Sequence, residues 1–388
     1  MTDFRNLSGK FALVGVAESD ELGTLPHKSA LQLHMEAARN AIADAGLKKS
    51  DIDGVFSAGR QMATETAEYM GLRPRYIDGT MVGGCSFLHH VQHAMAAINA
   101  GLCEVALITH GESGRSRLAM PNMSASKDSL LWQFEVPYGI VFPFTAYGFI
   151  ATRHMHEYGT TQEQLAEVAV ATRAWARLNP KANQRGPLTV DDVMKSPVLA
   201  WPFHVLDCCL VTDGGGACIV TSAERAKDLK KKPVYILGTG EGMGHCWINQ
   251  MPDFTAATGA TISGPQAFAM AGVTHKDIDV AMFYDAFTIT PILALEDLGF
   301  CKKGEGAAFV SGQRTAPGGD FPMNTNGGGL SYTHTGMYGM FIIIEAVRQL
   351  RGECGERQVK DAEVALAHGL GGIFSAAATM ILANAPKA

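Results

Sequence analysis

Three glycine-rich segments of this chain each carry one residue able to do nucleophilic or proton-transfer chemistry. Cys85 follows two glycines in Met81-Val82-Gly83-Gly84-Cys85-Ser86-Phe87 and opens a helix-patterned run. His334 closes Gly327-Gly328-Gly329-Leu330-Ser331-Tyr332-Thr333-His334, and His368 heads His368-Gly369-Leu370-Gly371-Gly372. A thiol at a helix start meets unpaired backbone N–H groups and the positive end of the helix dipole, which favour the thiolate. A histidine beside it can move the proton. The trio therefore reads as a nucleophilic acyl-transfer site, provided the fold gathers residues separated by most of the chain.

The elements that must gather them repeat. Asp44-Ala45-Gly46-Leu47-Lys48-Lys49-Ser50-Asp51-Ile52-Asp53 returns as Met270-Ala271-Gly272-Val273-Thr274-His275-Lys276-Asp277-Ile278-Asp279, in each case a helix ending at glycine, a loop and a buried strand. Glu104-Val105-Ala106-Leu107 is likewise echoed by Glu363-Val364-Ala365-Leu366. A duplicated α/β unit is the simplest account. Between the echoes each half has a glycine turn leading into a helix, which puts Cys85 and His334 at related places near an internal axis. The halves divide near 1–232 and 233–388. A stretch from about 111 to 210 fits neither, and its apolar spacing predicts helices over 145–158 and 161–178, as in a lid or substrate-binding insertion.

Composition bounds the class. The chain has 388 residues, 47% hydrophobic and 18% charged, enough for two halves with real cores. A net charge of -6 gives no reason to invoke nucleic acid or an anionic membrane surface. The N-terminus lacks a signal-peptide core, and the most apolar window, 136–151, contains Pro137 and Pro143, so a cytoplasmic protein with no membrane span is expected. Eight cysteines without CxxC pairs point to reduced thiols, with Cys208, Cys209 and Cys218 read as small apolar residues flanking a strand.

With these motifs in hand, nearly the whole chain resembles the thiolase superfamily, in particular sterol-carrier-type thiolases that work beside a small OB-fold and zinc-ribbon partner. Thiolases start a buried helix with the nucleophilic cysteine, as Cys85 stands here. Their Gly-Gly-x-x-x-x-Gly-His is echoed at 327–334, their Cys-x-Gly-Gly-Gly at His368–Gly372, and their Asn-Glu-Ala-Phe by Tyr284-Asp285-Ala286-Phe287. The resemblance implies a five-layer αβαβα sandwich, a homodimer, coenzyme A as co-substrate and no covalently bound cofactor. It implies a 3-oxoacyl-CoA thiolase cleaving through acyl-Cys85, with His334 and Tyr284 facing the thioester oxygen and His368 as acid and base. Backbone N–H groups of Cys85 and of Leu370-Gly371 would hold the oxyanion. Arg115, Arg173 and Arg177 are candidates for CoA phosphates.

An aromatic-rich insertion (Trp132, Phe134, Tyr138, Phe142, Phe144, Tyr147) suits aromatic or branched acyl groups, as in benzoylsuccinyl-CoA thiolase. The rival reading is a retro-aldolase on 3-hydroxyacyl-CoA using Tyr284 and Tyr332. A second is a non-catalytic acyl-CoA-binding scaffold, against which the set Cys85, His334 and His368 stands. His89 and His93 share a helix face at i, i+4 spacing but lack an acidic third ligand in sequence, so packing is expected there rather than metal.

Overall fold

The two copies of the sequence repeat fold into two copies of one strand order. In this computed structural model, which describes residues 4–59, 62–117, 126–140 and 143–386, eleven strands form. They are β1 (Phe11–Glu18), β2 (Gly54–Ser57), β3 (Tyr76–Asp78), β4 (Val105–Ser113), β5 (Val198–Ala200), β6 (Phe203–His204), β7 (Asp213–Ser222), β8 (Val234–Met243), β9 (Val280–Phe283), β10 (Val364–Gly371) and β11 (Ala376–Ala383). Nine of them run β3-β2-β4-β7-β1-β8-β11-β10-β9. The series β2-β4-β7-β1 is matched by β9-β10-β11-β8, with the first pair parallel and the others antiparallel in both. The halves meet where β1 pairs β8 through Ala12↔Tyr235 and Leu13↔Val234.

The repeated motif residues do the same work twice. Asp53 accepts from the amides of Glu104 and Val105, and Asp279 accepts from those of Glu363 and Val364. Each carboxylate thereby ties the start of one parallel strand to its neighbour. Helix α1 (Ala30–Ala45) starts at a Ser29 capping box and stops at left-handed Gly46. Its counterpart, the helix Thr258–Ala271, stops at left-handed Gly272.

The long helices, in chain order, are α1, α2 (Ser86–Asn99), α3 (Phe144–Tyr158), α4 (Gln162–Arg177), α5 (Thr258–Ala271) and α6 (Gly339–Arg351). Helix α1 lies close on the outer face of the first half, where a Cβ on Gly15 would overlap the Ala41 carbonyl oxygen; α5 does the same to the second, at Gly238 and Ala267. Helices α2 and α6 fill the middle. A Cβ on Gly369 of β10 would press on Leu88 of α2, and one on Gly216 of β7 would press on Met340 of α6. The result is the expected αβαβα layering, with Phe87, Val91 and Met95 of α2 and Phe341, Ile342 and Ile343 of α6 all buried between the two halves of the sheet.

One sequence expectation shifts. In the second half the helix begins at Gly339, not at the glycine turn; residues Gly328–Tyr332 form a π-turn, so His334 sits on the loop before the helix rather than at its start. Between β4 and β7, α3 and α4 stand close to the expected helices, followed by the β5–β6 hairpin. Among the described residues no helix is long and apolar enough to cross a membrane, and all eight cysteines are free.

Candidate active site

The site forms where α2 and its glycine turn meet the end of β10. Cys85 is the residue before α2, with Gly83 in the left-handed region completing the turn. Its sulfur is fully buried, 3.8 Å from the Val82 carbonyl oxygen. A Cβ on Gly371 would come within 2.9 Å of that sulfur, so β10 closes over it with bare backbone. Burial pushes the thiol well above its ordinary range; its own amide pulls the other way.

A cavity of about 430 Å3 opens next to this point. That is a size suited to a small ligand, within the roughly 300–1,000 Å3 of typical pockets. Gly83, Gly84, Leu370 and Gly372 line it on either side of the buried sulfur; Cys85 itself does not. Tyr284 and His334 also line it. The tyrosine ring lies flat on Gly84, where a Cβ would collide with it. Tyr284 Oη accepts from the Tyr338 amide at 3.2 Å and lies 3.0 Å from His334 Nε2. Which partner donates in that contact is set by the tautomer of the imidazole. Burial draws His334 down to about 4, so the imidazole is neutral near pH 7.

Asp285, next in the motif, builds the frame. Its carboxylate accepts from Gly329 N at 2.6 Å and Leu330 N at 3.4 Å, and burial raises it to about 7. Gly328 must be glycine because any Cβ would overlap this carboxylate. Tyr284 and His334 are thus locked to each other twice, by their own hydrogen bond and by Asp285 gripping the glycine loop.

His368 is not brought to Cys85. Side chains alternate across a strand, and on β10 it is Gly369 and Gly371 that face Cys85. His368 points to the opposite face, where Nδ1 meets Thr379 Oγ1 at 2.9 Å and Thr379 in turn meets Ser263 of α5. Burial there lowers it to about 3. The motif register therefore moves by one: Gly369-Leu370-Gly371-Gly372 matches Cys-x-Gly-Gly, and the place of the second cysteine holds a glycine with no side chain.

Other expected participants are engaged elsewhere. Tyr332 Oη donates to Glu18 at 2.7 Å, and that carboxylate is also held by Arg348 at 2.5 and 2.7 Å and by Lys181 at 2.8 Å. Tyr332 is a member of this buried ionic cluster, not of the cavity wall. Arg173 is buried, its Nε donating to Ser331 Oγ at 2.7 Å, so it braces the glycine loop. Arg115 and Arg177 are exposed. Phe142 of the aromatic set lies outside the described residues; Tyr147 and Phe287 stack at 4.5 Å on the cavity wall. Cys209, which sequence patterning assigned to packing, lines the same cavity, as does Glu112.

Among the described residues no group of three His, Cys, Asp or Glu is placed to hold a metal. His89 Nδ1 contacts the Cys85 carbonyl at 3.2 Å, inside its own helix. His93 sits between Asp78 at 2.7 Å and Glu241 at 3.5 Å, linking α2 to β3 and β8. The Asp78 carboxylate, which accepts from its ring, and then the nearby Glu241 carboxylate raise it to about 9. A raised histidine stabilises the fold fully below its unfolded value of about 6.5 and loses that contribution as pH rises through the folded value. His93→Gln is therefore expected to cost about 1–3 kcal/mol at pH 6, a difference from wild type that shrinks as denaturant melts are taken through pH 9 to 10. A pH-independent difference would show that the charge is not what holds α2 there.

Comparison with known proteins decides the family. Residues 240–384 match the family Thiolase C-terminal domain-like. An acetyl-CoA acetyltransferase of Methanothermobacter thermautotrophicus is 33% identical over 96% of this chain and 99% of its own length. The chain belongs to the thiolase superfamily. Within that superfamily it is also 36% identical to a steroid side-chain-cleaving aldolase of Thermomonospora curvata, over 89% of this chain and 91% of the aldolase. It is 33% identical to a benzoylsuccinyl-CoA thiolase subunit of Thauera aromatica over 72% of each. The solved Ltp2-ChsH2(DUF35) aldolase superposes with a TM-score of 0.90 at 33% identity, covering 97% of this chain and 98% of that one. This thiolase-superfamily chain is accordingly an enzyme, of the acyltransferase kind.

Proposed function

We propose that the protein is a 3-oxoacyl-CoA thiolase, cleaving the C2–C3 bond of its substrate and passing the acyl group from Cys85 to coenzyme A. One observation carries this reading: the sulfur at the head of α2 lies against a glycine-lined cavity that also holds the Tyr284–His334 pair. In the reaction Cys85 gives its proton to His334, and the sulfur attacks the keto carbon. The oxyanion is held by the amides of Cys85 and of the Leu370-Gly371 loop. When C2–C3 breaks, charge moves to the thioester oxygen facing Tyr284 and His334, and C2 takes up a proton. Donors fixed on developing charge contribute roughly 3–4 kcal/mol each. The CoA sulfur then takes the acyl group and frees Cys85.

The wall of Tyr147 and Phe287, backed by Phe144, Phe203 and Phe374, suits an aromatic or branched acyl group, as the benzoylsuccinyl-CoA thiolase relative supports. A small partner subunit fits the DUF35-containing aldolase neighbour. Homodimeric assembly in the cytoplasm completes the reading.

A second reading rests on a specific observation: the Cys85 sulfur is sealed under the floor while Tyr284 and His334 meet the cavity directly. Thiolysis needs the Gly83-Gly84 turn to yield; retro-aldol cleavage of a 3-hydroxyacyl-CoA, with His334 taking the hydroxyl proton, needs no such movement. The aldolase relatives support it. The test is to offer aromatic and branched 3-oxoacyl-CoA and 3-hydroxyacyl-CoA esters, with and without CoA and a co-expressed partner. Two acyl-CoA products formed only with CoA are expected. CoA-independent release of a free carbonyl compound from the 3-hydroxy ester would establish the second reading instead.

A further inference from the structure

Cleavage by either route leaves an enolate that must be protonated at C2, and the place of the thiolase second cysteine holds Gly369, which has no side chain to do it. His368 faces the other way, and the Tyr284 hydroxyl is paired with His334. A different thiol reaches the cavity. Residues 207–212 run as an extended strap whose backbone bonds to both catalytic loops. Thr288 N donates to Asp207 O at 3.0 Å, Cys209 N to Ala286 O at 2.9 Å, Leu210 N to Gly329 O at 2.9 Å and Thr212 N to His334 O at 3.0 Å. His334 N returns a bond to Thr212 Oγ1 at 3.0 Å. Cys209 is thereby pinned between the Tyr284 turn and the His334 loop. It is partly exposed and lines the cavity, whereas Cys208 turns away and its Sγ donates to His204 O at 3.4 Å.

We propose that Cys209 is the acid that protonates C2 of the enolate, and the base that afterwards receives the proton of the incoming CoA thiol. The proposal rests on the carbon–carbon cleavage reading above and deepens it. The balance closes. The C2–C3 bonding pair becomes the enolate, C2 takes the Cys209 S–H proton, and an acyl-CoA leaves with a thiolate on Cys209. CoA–SH gives its proton to that thiolate as its sulfur attacks the acyl-Cys85 carbonyl. The electron pair of the broken acyl–sulfur bond stays on Cys85, which recovers its own proton from His334. Burial, then the neighbouring Asp285, raises Cys209 to about 12, which keeps it protonated and able to donate.

The same proton transfer run backwards exchanges the C2 hydrogens of a product acyl-CoA with solvent, and this can be read without cleavage. Acetyl-CoA and propionyl-CoA incubated with the full-length enzyme in D2O should gain deuterium at C2, followed by mass spectrometry. Cys209→Ala and the near-isosteric Cys209→Ser should both lose exchange and kcat by ~100-fold or more while KM and the thermal midpoint stay near wild type. Cys208→Ala should exchange normally. A Cys209→Ser enzyme exchanging within tenfold of wild type, or exchange lost in Glu112→Gln but kept in Cys209→Ser, overturns the assignment. A wild-type enzyme that exchanges but cleaves no 3-oxoacyl-CoA removes the thiolase reading and leaves the Cys209 result standing; one that shows no exchange removes the assignment too.

Discussion

Replacing Cys85 by alanine is expected to lower CoA-dependent cleavage by ~10,000-fold or more, because nothing else at the head of α2 can carry the acyl group. The effect should fall on kcat. The side chain is small and buried, and its only described hydrogen bond is the 3.8 Å contact to Val82 O, so the fold loses little. Cys85→Ser sharpens the result: it restores the volume and a donor but not the nucleophile, and should remain as inactive as alanine. Rates within tenfold of wild type for either variant would mean that sulfur takes no covalent part, and that the Tyr284–His334 pair works alone. Steady-state kinetics with a cleaved 3-oxoacyl-CoA decide the matter.

The second large effect belongs to Tyr284→Phe. Removing one oxygen orphans two buried groups at once, the Tyr338 amide and His334 Nε2. The imidazole loses the contact that fixes its orientation, and the thioester oxygen loses the donor beside it. A loss of about 100- to 1,000-fold in kcat is expected, the scale of a missing oxyanion donor. Leaving buried polar atoms unpaired adds about 1–3 kcal/mol of destabilisation. The two readouts are separable: a variant that loses stability but keeps kcat would assign Tyr284 to packing, in line with its place against Gly84.

Much of the fold was legible because the repeat writes the same physics twice. Gly46 and Gly272 both end a helix in the left-handed conformation, and Asp53 and Asp279 both tie neighbouring strands. Cys85 and His334 stood out through glycine turns that local sequence reveals, and Tyr284 only through the resemblance of residues 284–287 to the thiolase Asn-Glu-Ala-Phe motif. His368 did not behave as expected because a one-residue change of register on a strand moves a side chain to the other face. Only the contact of Gly369 and Gly371 with α2 fixes that register. Tyr332 was decided by a partner more than 300 positions away, Glu18, which no spacing rule predicts. Cys209 was hidden for a related reason: it lies in an irregular strap whose path is set by long-range bonds to Ala286, Gly329 and His334.

The buried sulfur is the hinge between the two chemistries. On the thiolysis reading the Gly83-Gly84 turn, which lines the cavity beside it, is the segment that yields to uncover it. The most direct measurement is the intact mass of the denatured enzyme after mixing with a cleaved acyl-CoA substrate and rapid quenching, with peptide mapping of any adduct. Thiolysis predicts one acyl group per chain on Cys85, removed by added CoA. Product formation with an unmodified Cys85 throughout turnover would contradict it.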